Sequence, residues 1–112
     1  MQDYKDKVES FRSSARFYLN NKQMYESLTS DPDEKADERQ LKYIHDDLVY
    51  VEKTLDQIYA QCGSAARLIV YLLYVENRTQ DSVAKDYNIT RRQLQYSLSK
   101  WLRAVFEEAV PN

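Results

Sequence analysis

The sequence is short of the residue types that build tight turns and reactive centres. Its 112 residues contain one Gly, two Pro, one Cys and one His. Because β-hairpins and Gly-rich phosphate loops consume turn residues, we expect long helices joined by few connections. A single cysteine excludes an intramolecular disulfide and a multi-cysteine zinc site, and it favours a reducing cytoplasm. We therefore expect an all-α protein that is not an enzyme, with no catalytic residue, metal or cofactor.

Long apolar runs are also missing. The most apolar stretch, Leu68 to Val75, is far below the ~20 residues that span a bilayer. No cationic start followed by an apolar run indicates a secretory signal. The single histidine, His45, has no second ligand at a spacing that would suit a metal. These observations predict a cytoplasmic protein that makes no use of a membrane.

Charge is divided unequally about the only glycine, Gly63. The part before it holds 9 basic and 13 acidic residues, net −4, whereas residues 63–112 hold 7 basic and 5 acidic residues, net +2. The stretch Arg91 to Arg103 carries four cations and no acid. A polyanion should therefore meet the C-terminal part, because affinity for phosphates follows local cation density.

Three groups of capping and turn residues divide the chain. Asp31 followed by Pro32 predicts a helix that begins at Pro32. Gly63 can end one helix in the left-handed conformation, with Ser64 capping the next. Asn77 can make a similar turn before Thr79 opens another helix.

Between the first two groups, apolar residues recur alternately three and four apart, as in a coiled coil. This seam consists of Leu41, Ile44, Leu48, Val51, Leu55, Ile58 and Cys62. The segment from Tyr4 to Tyr25 repeats the spacing less cleanly, so residues 1–62 are predicted to form a helical hairpin or coiled-coil-like arm. We interpret the seam from Leu41 to Ile58 as the interface of a homodimer; the alternative is an ordinary core stripe within one chain.

The order of elements after Gly63 is typical of a helix-turn-helix, predicted for residues 64–112. An apolar scaffold helix, 65–75, precedes a short helix, 79–86, and a four-residue connection. Thr90 and Gln93 then have the spacing of a capping box, which begins a long helix at Arg91.

This last helix has two different sides when its residues are placed at ~100° intervals. An apolar stripe is formed by Leu94, Leu98, Trp101, Leu102 and Val105. The opposite side carries Arg92, Tyr96, Ser99, Lys100 and Arg103, with Gln95 on its flank. Arg and Gln can hydrogen-bond base edges and hydroxyls can hold phosphate, so this side suits the major groove of double-stranded DNA. A merely solvated helix face is the alternative.

The same residues resemble a known family. The segments Ala66 to Glu76, Thr79 to Ala84 and Ile89 to Leu94, with the following Leu98 to Leu102, look like the promoter-reading fourth region of bacterial sigma factors. The arrangement is similar to phage and mobile-element transcriptional regulators of the ArpU and RinA type. The resemblance covers about the last 45 residues. It implies promoter recognition by the final helix, with Arg91, Arg92, Gln95, Tyr96, Ser99 and Arg103 at matching outward positions, in a bacterial host cell.

Several functions remain open at this level. A regulator of this type could be an activator, a repressor or a DNA-packaging adaptor. A second class is an interaction protein that binds a host protein such as RNA polymerase through the acidic helical part. The ten tyrosines also permit an aromatic surface for protein or single strands.

Overall fold

A computed structural model describes residues 3–30 and 37–107 of the chain. These residues form six α-helices and no strand, which confirms the predicted all-α class. The helices are α1 (Tyr4–Arg16), α2 (Tyr18–Ser30), α3 (Glu38–Cys62), α4 (Ser64–Val70), α5 (Gln80–Asp86) and α6 (Arg91–Phe106), and a π-helical turn, Tyr71–Val75, extends α4. Within the same residues, no helix combines the length and apolar character needed to cross a membrane.

The N-terminal segment is divided where its sequence shows no break. Helix α1 starts after Asp3, whose carboxylate accepts a hydrogen bond from the Asp6 amide at 2.9 Å, and it ends at Phe17. Helix α2 begins at the next residue, Tyr18. Neither Gly nor Pro marks this position, so the turn is imposed by packing of both helices on α3.

Helix α3 begins and ends at residues with clear local roles. Asp37 caps its start by accepting a hydrogen bond from the Arg39 amide at 3.0 Å. The predicted start at Pro32 lies outside the described residues. Gly63 ends the helix with φ +97° and ψ 175°, a backbone conformation that is essentially restricted to glycine. Ser64, predicted to cap α4, is instead its first residue and makes no capping hydrogen bond.

The seam of α3 is filled by the same chain. Ile44, Leu48, Val51, Leu55 and Ile58 are all buried, while Leu41 is half-buried. Helices α1, α2, α4 and α6 each pack against α3. Assigning this seam to a dimer interface is therefore wrong for its five buried residues, because they are core residues within one folded chain. A homodimer, which the sequence predicts, has to use another surface.

The π-helical turn brings the end of the scaffold helix back to the core. The Glu76 amide donates to the Tyr71 carbonyl at 3.1 Å, a closure over five residues. In a regular α-helix Val75 would point about 140° away from Val70. With the wider turn both valines are buried.

One core joins the two parts of the chain. The fully buried Phe11 of α1 packs edge-on against Tyr74, with ring centroids 6.0 Å apart, and against Phe106 of α6 at 5.7 Å. Leu94, Leu98 and Leu102 belong to the same buried cluster as the seam of α3. Gly63 thus separates an acidic part from a basic part in sequence, but it does not separate two cores.

Candidate nucleic-acid interface

Helices α5 and α6 are joined by a tight turn and held together by local hydrogen bonds and a small apolar contact. Thr79 caps α5 by accepting from the Ser82 amide at 3.1 Å. Val83 and Ala84 are buried, as predicted. The small side chain of Ala84 allows the neighbouring helix to approach closely.

The connection between the two helices has the predicted turn chemistry. Asn88 lies in the left-handed region with φ +56°, and the half-buried Ile89 donates its amide to the Ala84 carbonyl at 3.0 Å. Thr90 and Gln93 form the complete capping box, with reciprocal distances of 3.0 and 2.9 Å. The direction in which α6 leaves the turn is therefore fixed at its first residue.

The apolar side of α6 is firmly packed. Leu94, Leu98 and Leu102 are buried, and Trp101 and Val105 are half-buried against the core. Sequence reasoning did not include Phe106, which continues the same stripe four residues after Leu102 and is also buried. Its spacing was the signal that could have identified it.

The opposite side of α6 is open and has no acidic residue. Tyr96 is 76% exposed, and Arg92 and Lys100 are exposed beside it. Among the described residues neither cation makes an ion pair. Arg92 and Tyr96 also line a groove of about 510 Å³ beside Ile89 and Thr90. We call the surface formed by Arg92, Tyr96 and Lys100 the open face.

Two further predicted residues lie at the contact with α5. The Gln95 side-chain amide donates to the side-chain Oε1 of Gln80 at 2.8 Å, and the Arg91 guanidinium donates to the same oxygen at 3.4 Å. Arg91 also lies 3.9 Å from a carboxylate oxygen of Asp81, a long and exposed ion pair that contributes little. Both side chains are exposed, so exchange of these weak contacts for a ligand costs little.

The last two predicted residues differ from the open face. Ser99 is half-buried. Arg103 places its guanidinium over the ring of Tyr4, 4.8 Å from the centroid, and bonds the Glu107 carboxylate at 3.1 Å. Arg103 is exposed, as predicted for the outward side of α6, but its guanidinium already contacts Tyr4 and Glu107.

Two other reactive side chains among the described residues are Cys62 and His45. Burial raises the pKa of the Cys62 thiol, which lowers its thiolate fraction and its reactivity. His45 lies beside Tyr25, with ring centroids 5.9 Å apart. In residues 3–30 and 37–107, no three His, Cys, Asp or Glu side chains are grouped as metal ligands.

Sequence reasoning passed over one cation at the start of α5. Arg78 bonds Ser82 and the Asp86 carboxylate, which places its guanidinium along the side of that helix, between its first and last turns. A cation directly before the Thr79 cap was the available signal. No protein-family model, curated protein or solved structure matches this chain.

Proposed function

We propose that the chain binds double-stranded DNA, with α6 lying in the major groove and α5 positioning it. The observation that carries this proposal is the open face of α6: two cations with no ion-pair partner among the described residues, and an exposed aromatic, on an acid-free helix. Support also comes from the short helix, tight turn and capped long helix that present this face. A solvated surface helix would normally mix charges of both signs.

The residues divide into those suited to bases and those suited to phosphates. Arg92 and Gln95 lie in the first two turns of α6, the part of a recognition helix that contacts base edges. Arg can pair with guanine and Gln with adenine in the major groove. Lys100 and Arg103 lie farther along the helix and suit the phosphate backbone, which binds without regard to sequence.

The biological role proposed for this activity is transcriptional regulation in a bacterial host cell, in the control of phage late genes or a mobile element. It rests on the resemblance of Ala66 to Leu102 to the fourth region of sigma factors. A protein of this kind would work in the cytoplasm. Dimers are common among such regulators, and a dimer here would use a surface outside the buried seam of α3.

Binding to short DNA duplexes tests the proposal directly. Fluorescence anisotropy should detect binding of the full chain to random-sequence duplex at low salt, weakening as salt increases. The double variant Arg92→Ala, Lys100→Ala should weaken it and flatten the salt dependence by about 1 in the logarithmic slope, since Lys100 is the member of the pair that suits a phosphate contact.

A variant with the same change in charge provides the control. Lys42 and Lys53 are exposed on α3, so Lys42→Ala, Lys53→Ala alters the net charge equally without touching α6. We expect this control to bind like the parent. A parent chain that binds no duplex at low salt, or equal weakening by the two double variants, would contradict the proposal.

A second candidate function is protein binding through α3, for example to a host RNA polymerase. It is favoured by one observation: Tyr43 is 73% exposed and Tyr50, seven residues later on the same face, is also exposed. Exposed tyrosines beside carboxylates are suited to a protein interface. A DNA-binding test that fails while host polymerase is retained on the immobilised chain would favour this candidate.

A further inference from the structure

A groove lined by three arginines lies between α1 and the turn that leads into α5. It encloses about 390 Å³, and Arg12 and Arg16 form its α1 side. Arg78 and Gln80 form the other side. A second groove adjoins it and shares Arg16 and Arg78. Helix α1 thereby contributes to a basic surface although it belongs to the acidic part of the sequence.

The groove retains a positive charge after its internal pairs are counted. Its charged lining is three arginines and one acid, Glu9; Arg12 is paired with Glu9 and Arg78 with Asp86 of α5, which leaves the single positive charge of Arg16. Arg12 bonds Glu9 at 3.0 Å and lies over the Tyr74 ring, 5.4 Å from its centroid. Arg16 is exposed and makes no ion pair within the described residues. The lining therefore contains one fully available guanidinium beside two that are held in place.

The groove is continuous with the start of α6. Gln80 lines it and also accepts the hydrogen bonds from Gln95 and Arg91 of that helix. A duplex that lies along the first turns of α6 would thus run its sugar-phosphate backbone past the groove. Guanidinium groups match phosphate geometry better than any other side chain.

The charge along α1 fits the same ligand. Helix α1 carries four basic and two acidic residues, net +2, whereas α3 carries three basic and five acidic residues, net −2. Spacings of three and four residues put Lys5, Glu9, Arg12 and Arg16 on one stripe of α1. The net negative charge of the N-terminal part is therefore carried by segments other than α1, whose groove side has Glu9 as its acid.

We propose that Arg16, with Arg12 and Arg78, binds the DNA backbone phosphates that flank the segment contacted by α6. This inference rests on the proposed DNA binding and extends it to α1. The contact is independent of base sequence because only phosphate oxygens are involved. The N-terminal helix thereby contacts the DNA directly. If the acidic and basic parts of the chain acted as separate modules, α6 alone would make the contacts.

Binding of the full chain to duplex DNA as a function of salt tests the role of Arg16. Arg16→Ala should weaken binding to random and to selected duplexes by the same factor, several-fold, and reduce the logarithmic salt slope by about 1. Arg39→Ala on α3 removes the same charge from an exposed position and should leave both quantities unchanged. Circular dichroism of both variants controls for folding.

A second measurement uses the unaltered protein. Arginine modification by a dicarbonyl reagent, followed by mass spectrometry, should label Arg16 and Arg39 equally in the free chain. Addition of duplex should protect Arg16 and leave Arg39 reactive. Equal labelling of Arg16 with and without bound duplex, or an Arg16→Ala variant with the parent salt slope, would overturn this inference. If the parent binds no duplex at all, the proposed DNA binding itself fails, so the two failures are distinguishable.

Discussion

Helices α3 and α6 are built alike on one side and differently on the other. Each buries a continuous apolar stripe, and the two stripes meet in one core. The outer side of α3 carries carboxylates such as Asp46, Glu52 and Asp56, whereas α6 has none. Similar amphipathic patterns therefore serve the same packing task, and the two helices differ in the charge of their exposed faces.

Helix α1 joins these two helices in the core and, like α6, carries a net positive charge. It packs against both, and its buried Phe11 contacts Tyr74 of the π-helical turn as well as Phe106 of α6. Its stripe along the groove carries three basic residues and one acid, although α1 belongs to the acidic part of the sequence. Position along the chain thus does not decide to which surface a residue belongs.

The largest expected effect comes from placing a charge in the shared stripe of α3. Leu55 is 2% exposed, so Leu55→Glu buries an unpaired carboxylate and removes core contacts, at a cost of several kcal/mol. We expect loss of helical circular dichroism, because the stripe is core within one chain. Gln57→Glu adds the same charge at an exposed position and should fold normally. A Leu55→Glu chain that remains folded but changes from dimer to monomer in light scattering would restore the dimer interpretation.

A smaller but still large loss of stability should follow from truncating Phe11, which connects α1 to α6. Phe11→Ala leaves a cavity between α1 and α6, and we expect it to lower the free energy of unfolding by about 3–5 kcal/mol. Phe17→Ala removes the same side chain from a position that is 51% exposed, and it should change stability by only about 0.5 kcal/mol. Urea unfolding measures both.

The outcome of this pair also tests whether the chain unfolds as one unit. A shared core predicts a single transition for the parent and for Phe11→Ala. Two separate transitions, or nearly equal effects of the two substitutions, would show that the parts on either side of Gly63 are energetically independent.

The smallest expected change in stability comes from adding a carboxylate to the exposed face of α6 or of α3. Tyr96→Glu places a carboxylate on the open face of α6, and Tyr43→Glu makes the same change on α3 at almost equal exposure. Neither should alter stability by more than about 0.5 kcal/mol. Only Tyr96→Glu should weaken DNA binding, by about tenfold, roughly 1.4 kcal/mol. Anisotropy with random duplex measures this difference, and equal binding by both variants would place the interface elsewhere.

Much of the candidate site was predictable because its determinants are local. Thr79, Asn88 and the pair Thr90 and Gln93 act through hydrogen bonds or backbone angles within a few residues, and the structure has each of them as predicted. The exposure of Arg92, Tyr96 and Lys100 followed from helical spacing alone. Their DNA-binding role stays a prediction.

The sequence by itself determined the helical class, the two ends of α5, the start of α6 and the charge of each helix face. These properties depend on residue type and on spacing along one element. Only the tertiary structure decided which partner fills the seam of α3, that the chain breaks at Phe17, and that Arg16 lies across a groove from Arg78. Each of these depends on contacts between residues far apart in sequence. A periodic apolar stripe predicts that its side chains are buried, but it does not predict which elements cover them.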